Sequence, residues 1–373
     1  MAFGRKMASS MVQHFLVRPV RLTIANTRLQ LIRCQSIVAE KLVYSEYGDV
    51  TKVVRQEKEN LPAPKDNEIV VRMLAAPINP ADINTIQGVY PVKPPLPSIP
   101  GNEGVGEVIS LGSGVTDLKK GDRVLPRANA WGTWRTHAVC DAKEMIKIPN
   151  NIGIVEAATM TVNPCTAYRM LRDFVNLSRG DTVIQNGANS AAGQSVIQLC
   201  RAWGITSVNV VRNRENIDEL KAFLTDLGAS YVLTEEELRT TELFKKSVVP
   251  KPKLAFNCVG GKNALECLRH LDNGGIMVTY GGMSREPVTV PTSALIFKDI
   301  SVHGLWMTRW SINHAGTTEQ TEMYRDILNM YAEGSLKAPV HKLIPFSNYR
   351  EGLENTMTVK GFSGLKYIFD FQS

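Results

Sequence analysis

The sequence predicts an α/β protein: a doubly wound parallel sheet joined to a β-rich domain of barrel-like or partly open form. Strand-like and helix-like segments alternate from Asp181 to Tyr280, the pattern of βαβ units. Residues 42–149 instead carry short β-branched runs divided by Gly and Pro, which reads as strands and turns. A length of 373 residues with 43% hydrophobic and 21% charged content accommodates two domains and a large core. The same figures exclude a collagen-like chain, a long coiled coil and wholesale disorder.

Charge is the first informative feature along the chain. Lys plus Arg total 43 and Asp plus Glu 36, for a net +7, yet residues 1–39 hold no acid and six of the bases: Arg5, Lys6, Arg18, Arg21, Arg28 and Arg33. Without those six, 37 basic and 36 acidic residues nearly cancel, so a nucleic-acid partner is not expected. An acid-free, Arg-containing start with Ser, Thr and short apolar runs predicts a mitochondrial transit peptide. Arg18 and Arg21 interrupt the apolar stretch that a secretory signal needs. No run of 18 uncharged apolar residues occurs, so no membrane-spanning helix is expected.

In the front region, Glu68–Leu74 and Gly104–Ile109 read as strands, and Gly121–Leu125 as a turn feeding another. Residues 85–100 contain five prolines and no regular period, so they form a loop, and a loop that long is more often functional than filler. From Glu156 the texture changes. Val155–Asp173, Gly193–Trp203, Ile217–Leu227 and Asn263–Leu271 have helical spacing, while Asp181–Gln185, Ser207–Val211, Tyr231–Leu233, Leu254–Val259 and Gly275–Tyr280 read as short buried strands. The return consists of a helix over Glu319–Glu333 and a β-like tail at Lys366–Phe369.

After the first strand of the alternating region comes Asn186-Gly-Ala-Asn-Ser-Ala-Ala-Gly193 and then a helix. A dinucleotide turn needs small residues where backbone approaches a pyrophosphate, and a helix N-terminus aimed at the charge. Strict G-x-G-x-x-G spacing is absent, but the strand before and the helix after are those of a Rossmann nucleotide site. The second strand ends in Val211-Arg-Asn-Arg214, where an NAD site would place Asp or Glu. Two guanidiniums suit a 2′-phosphate, so NADPH is favoured over NAD.

Other residue types are assigned no chemistry. Six cysteines occur without a C-x-x-C pair or zinc-finger spacing, and they read as reduced, mostly buried thiols. Cys165 stands near a helix start but has no flanking His to make it a nucleophile. His137, His270, His303, His314 and His341 are scattered without metal spacing, Trp131 and Trp134 read as packing residues, and Glu235–Glu237 as a solvated helix start. No metal site is expected.

Several stretches carry a family resemblance. Gly101-Asn-Glu-Gly-Val-Gly106 resembles the G-H-E-x-x-G stretch of the medium-chain dehydrogenases/reductases. In the zinc alcohol dehydrogenases of that superfamily the His ligates zinc; Asn102 is a poor ligand. Leu74-Ala-Ala-Pro-Ile-Asn-Pro-Ala-Asp-Ile-Asn84, Ile86-Gln-Gly-Val-Tyr90, Thr161-Val-Asn-Pro-Cys-Thr-Ala-Tyr-Arg169, Tyr280-Gly-Gly-Met283 and Gly304-Leu-Trp-Met307 are together similar to the mitochondrial trans-2-enoyl-CoA (enoyl-thioester) reductases. The resemblance covers residues 40–373. It implies a GroES-like catalytic domain at 39–162 completed by a return at 309–373, a Rossmann NADPH domain at 163–308, and a transit peptide at 1–38. It implies Tyr90 as the catalytic acid. It implies cofactor contacts from Asn163; from Asn189, Ser190, Ala191, Ala192 and Gly193 at the phosphates; and from Arg212, Asn213 and Arg214 at the 2′-phosphate. Tyr280, Gly281, Gly282 and Met283, and a loop containing Leu305, Trp306 and Met307, are placed near the nicotinamide. Lys366 is a further contact, in a tail that departs from the family pattern. A homodimer, an enoyl thioester of acyl carrier protein or CoA as substrate, and a mitochondrial matrix location are also implied.

The implied reaction adds hydride at C3 of the enoyl thioester and a proton at C2. A phenol such as Tyr90 is an apt donor; Asn79 and Trp306 are pocket-shaping or packing residues. An NADPH-dependent quinone or 2-alkenal reductase on the same scaffold, and a non-catalytic NADPH-binding protein, remain open on the sequence.

Overall fold

The computed structural model describes residues 37–357 and 365–373. The expected targeting segment lies outside the described residues as far as residue 36, and Cys34 with it. Fifteen strands are described: β1 (Ile37–Tyr44), β2 (Val54–Leu61), β3 (Glu68–Pro77), β4 (Val105–Leu111), β5 (Arg123–Pro126), β6 (His137–Asp141), β7 (Met145–Ile148), β8 (Thr182–Asn186), β9 (Thr206–Val211), β10 (Tyr231–Thr234), β11 (Leu254–Asn257), β12 (Ile276–Thr279), β13 (Ser301–Gly304), β14 (His341–Pro345) and β15 (Lys366–Asp370).

The front of the chain makes an antiparallel β1–β2 hairpin and a seven-stranded sheet, ordered β14-β15-β3-β4-β5-β7 with β6 also on β3. Strand β3 is the organiser. One of its edges pairs with β6 through Glu68–Arg72 and then with β15 through Ala75–Pro77, while the other pairs with β4. Register shifts at Val70/Val71 and Met73/Ala75 mark bulges, which bend and twist a strand. That is how one long strand serves two neighbours on one edge and how the chain's last strand joins its first sheet. Trp134 is fully buried here, edge-on to Phe369 of β15 at 5.2 Å, with its indole N–H on the Pro77 carbonyl.

The middle of the chain forms a six-stranded, wholly parallel sheet of order β10-β9-β8-β11-β12-β13. Val183, Ile184, Leu254, Ala255, Phe256, Met277 and Val278 are all fully buried, the continuous apolar runs of strands covered on both faces. The sequence order of strands reverses between β8 and β11. In such sheets the crevice beyond the carboxyl ends at this reversal is where ligands bind, so Asn186–Gly193, Cys258–Gly260 and Tyr280–Gly282 converge there.

Two local readings are corrected. The helix expected over Val155–Asp173 is two helices, Ile154–Thr159 and Asn163–Asp173. Pro164 sits in the first turn of the second, where its missing N–H costs nothing. The Val162 N–H donates instead to the Glu103 carboxylate at 3.0 Å. The second correction is β13. Ser301–Gly304 has no apolar alternation and gives no strand signal, yet it pairs with β12 as the sheet's last strand, with all four residues exposed. Trp306 stands in the two-residue link after β13, as the N-cap of a short helix, Met307–Asn313.

Candidate active site

The phosphate turn is built largely from backbone. Gly187 has φ +57°, and a Cβ there would lie 2.5 Å from the Cys258 sulfur; at Gly193 it would lie 2.5 Å from the Ala188 carbonyl. Only glycine fits either position without displacement. Ser190 caps the helix Ala191–Trp203, its hydroxyl accepting from the Gly193 N–H at 3.1 Å. Asn189 is buried, and its carbonyl accepts from the Gln194 side chain at 2.8 Å. The first-turn N–H groups of this 13-residue helix, from Ala191 and Ala192 onward, therefore face the crevice with the positive end of the helix dipole.

Beneath the turn lies a neutral polar layer. Asn186 Nδ2 donates to Asn257 Oδ1 at 2.8 Å, Asn257 Nδ2 donates to the Thr279 hydroxyl at 3.1 Å, and the Cys258 N–H donates to Asn186 Oδ1 at 2.8 Å. These bonds lock together the ends of β8, β11 and β12. Tyr280 follows β12, its N–H on the Asn257 carbonyl. Its hydroxyl is buried without a hydrogen-bond partner of good geometry, with Cys258 and Ser190 as polar neighbours, and burial pushes its pKa well up. Gly281 and Gly282 continue the turn, and Met283 lies 63% exposed at its rim.

At the end of β9, Arg212 and Asn213 are exposed and Arg214 is half-buried. The Arg214 N–H donates to Asn213 Oδ1, and its guanidinium to the Arg212 carbonyl. Burial and the neighbouring Arg212 charge lower the Arg214 pKa. Two adjacent guanidiniums gain from an anion between them, and a 2′-phosphate fits that demand.

Tyr90 is reached from the other side. The helix Pro80–Ile86 ends at Gln87, and the Asn84 carbonyl accepts from the Val89 and Tyr90 N–H groups at 3.0 and 3.1 Å. The Trp306 indole N–H donates to the Tyr90 hydroxyl oxygen at 2.6 Å, the two rings standing edge-on at 5.8 Å, with Thr308 Oγ1 3.5 Å from the same oxygen. With its oxygen accepting from an N–H, the phenol still has its own hydrogen to donate. Leu305 and Met307 flank Trp306; the Leu305 N–H bonds the Thr279 carbonyl, and Met307 is buried.

Asn163 begins the helix Asn163–Asp173, and its side-chain Nδ2 is buried without a protein partner, so this donor has a bond left to make. Lys366 opens β15 and is 7% exposed, its ammonium donating to Asn79 Oδ1. Asn79 is part of a buried cluster with Asp82, Asn102, Glu103 and Lys366. Asn102 donates twice to Asp82 Oδ1, from its backbone at 2.9 Å and its side chain at 2.6 Å. Among the described residues no group of three or more His, Cys, Asp and Glu is arranged to hold a metal. Burial raises the Asp82 pKa to about 7 and also raises that of Glu103, while it lowers that of Lys366. Asp82 and Glu103 stand inside the stretches that carry the family resemblance, yet sequence reasoning assigns them no role. The one signal that points to them is an isolated acid in each of two otherwise uncharged stretches, Leu74–Asn84 and Gly101–Gly106.

The described cysteines Cys140, Cys165, Cys200, Cys258 and Cys267 are free and buried. Burial pushes the Cys165 thiol pKa well up, opposite to what a nucleophile needs.

Comparison with known proteins follows the same lines. Residues 65–150 match the family model for the alcohol dehydrogenase GroES-like domain, and residues 191–324 that for zinc-binding dehydrogenase. The chain is 51% identical over 330 residues to the mitochondrial enoyl-[acyl-carrier-protein] reductase of Mus musculus, a match that covers 88% of this chain and 87% of that protein. Its structure is similar to the Etr1p/NADP/crotonyl-CoA complex, with a TM-score of 0.82 and 36% identity over 90% of this chain and 100% of that one. The mitochondrial 2-enoyl thioester reductase Etr1p/Etr2p heterodimer of Candida tropicalis gives a TM-score of 0.81 and 37% identity, again over 90% of this chain and 100% of that one.

Proposed function

The chain belongs to the mitochondrial enoyl-[acyl-carrier-protein] reductases, and on that premise we propose that Tyr90 is the acid of its reaction and that the crevice between β8 and β11 seats the cofactor. The activity is NADPH-dependent reduction of a trans-2-enoyl thioester to the saturated thioester in mitochondrial fatty acid synthesis. When bound, NADPH supplies hydride to C3 of the enoyl group.

The residues fit that cofactor. The glycine turn and the cap of the helix Ala191–Trp203 offer N–H donors for the pyrophosphate, Arg212 and Arg214 charge for the 2′-phosphate, and Asn163 an unpaired buried amide. The single observation carrying the acid assignment is the 2.6 Å bond from Trp306 to the Tyr90 oxygen. It ties the proline-rich loop to the segment just after β13, so that the phenol is held beside the cofactor region. Tyr90 transfers its proton to C2 of the enolate, and the charge left on its oxygen meets the Trp306 N–H, a preorganised donor.

Carrier protein or CoA as the physiological carrier, and a homodimer, complete the proposal. The exposed edge of β13 supports the dimer. Val302 is 39% exposed there, and nearby in sequence Leu295, Ile296 and Phe297 are 49, 65 and 77% exposed. An open sheet edge is a natural place to pair a second copy, and the exposed apolar residues of the preceding helix add surface to bury. Phe297→Asp with Val302→Asp should shift the sedimenting species from dimer to monomer; an unshifted dimer would refute this interface.

The activity test compares NADPH oxidation with trans-2-enoyl thioesters of several lengths, a quinone and a 2-alkenal, in the protein and in Tyr90→Phe. Thioester reduction that collapses in the variant is the expected result. Thioester turnover indifferent to Tyr90 would remove it as the acid.

A further inference from the structure

We infer that Glu103 is a positioning residue for this reductase, acting through Asn163 and Lys366; the inference rests on the reading of those two as cofactor contacts. Glu103 is 2% exposed, and every bond its carboxylate accepts comes from a distant part of the chain. Its Oε1 accepts from Asn79 Nδ2 at 2.9 Å. Its Oε2 accepts from the Val162 N–H at 3.0 Å and the Thr161 hydroxyl at 3.2 Å. Asn79 passes the connection on: its Oδ1 accepts from the Lys366 ammonium, and its N–H donates to Asp82 Oδ2 at 2.8 Å.

Removing two carboxylates and an ammonium from water is costly, and packing alone would be served as well by apolar side chains of the same volume. What the charges deliver is geometry. Thr161 and Val162 lie in the break between Ile154–Thr159 and Asn163–Asp173. A backbone amide in the interior of such a break needs an acceptor. Glu103 supplies it to Val162 and so fixes the backbone one residue before Asn163, whose own side-chain amide is buried and unpaired. The same carboxylate offsets the charge of Lys366 and, through Asn79 and Asp82, anchors the start of the helix Pro80–Ile86, whose Asn84 carbonyl holds the Tyr90 backbone. One acid therefore sets the relative placement of Asn163, Lys366 and the Tyr90 segment.

Glu103→Gln keeps the size of the side chain, removes the charge and cannot accept from all three donors. The measurements are NADPH dissociation constant by fluorescence, kcat and KM with crotonyl-CoA, and circular dichroism. With a native spectrum retained, NADPH binding should weaken about 10-fold and kcat fall toward about 100-fold, the scale of a small misplacement at a reacting centre, while KM for crotonyl-CoA changes little. A variant that only melts earlier, with unchanged NADPH affinity and kcat, overturns the inference. If Glu103→Gln does not fold, Thr161→Val removes one donor to the same oxygen and should weaken NADPH binding about threefold; unchanged binding again overturns it. Failure of the underlying reading has a different signature: Asn163→Ala and Lys366→Met would bind NADPH as the unsubstituted protein does. Failure of this inference leaves those two weakened and Glu103→Gln unaffected.

Discussion

The two walls of the crevice are made by different means. The nucleotide wall is neutral at its phosphate turn, where the segment from Asn186 to Gly193, a capped helix and an asparagine layer joining β8 to β11 leave Gly187 and Gly193 in contact with backbone or sulfur, and its charge, Arg212 and Arg214, is exposed or half-buried at the end of β9. The acid wall is assembled from distant chain segments and carries buried charge. Tyr90 meets Trp306 across 216 positions, and Lys366 meets Asn79 across 287. A phosphate is a large, persistent charge that a rigid array of N–H groups can hold. Proton delivery needs one hydroxyl aimed at one carbon, and such aim comes from a side chain locked by neighbours on other elements.

The sharpest way to separate the walls is Tyr90→Phe. It should lower kcat by about 10²–10⁴-fold and leave the NADPH dissociation constant within experimental error, as stopped-flow and fluorescence titration would show. A matched loss of cofactor binding would mean that the walls are not independent.

Arg212→Ala with Arg214→Ala tests the other wall. Charge-assisted bonds of about 1.5–3 kcal/mol each predict a weakening of NADPH binding by at least about 10-fold, with NADH binding nearly unchanged. Parallel titrations with the two cofactors give the ratio, and a ratio that does not move would place the 2′-phosphate elsewhere.

A smaller effect is expected from Trp306→Phe, which keeps an edge-on ring and removes the N–H on Tyr90. One hydrogen bond of about 1 kcal/mol predicts a fall in kcat of roughly fivefold with NADPH affinity preserved. An unchanged kcat would make the indole a packing group only.

The smallest effect concerns the buried charge. Asp82 has its folded pKa raised from 3.8 to about 7, by burial first and with a contribution from Glu103, against the hydrogen bonds of Asn79 and Asn102 and the charge of Lys366. The folded state therefore holds a proton between about pH 4 and 7 that the unfolded chain has released, and stability falls as pH rises through that window. Glu103 is shifted in the same direction. Asp82→Asn should flatten part of this decline in thermal midpoint across the same window. An identical pH profile in the variant would show that Asp82 does not titrate there.

Much of the nucleotide wall is legible in the sequence. The small residues lie together between one strand and one helix, and Arg212 and Arg214 lie together at the next strand's end, so each group can be read from a few consecutive positions. The helix break at Met160–Val162 is not legible, since helical spacing runs through it and only the Glu103 carboxylate, 59 residues away from Val162, diverts the amide. Strand β13 escapes sequence reading for a related reason. An exposed edge strand has no buried face and so leaves no alternation to read.

The sequence by itself determined the alternation of strand and helix, the glycine turn and the pair of guanidiniums at the end of the second strand of the alternating region, because these depend on backbone freedom and side-chain chemistry within a few residues. Tertiary structure alone decided that Trp306 meets the Tyr90 oxygen, that Lys366 enters a cluster with Asn79 and Glu103, and that Asn163 is left with a buried, unpaired amide. Those outcomes depend on which distant segments share a low-dielectric interior, where each charge must find a partner and each partner then has only one place to be.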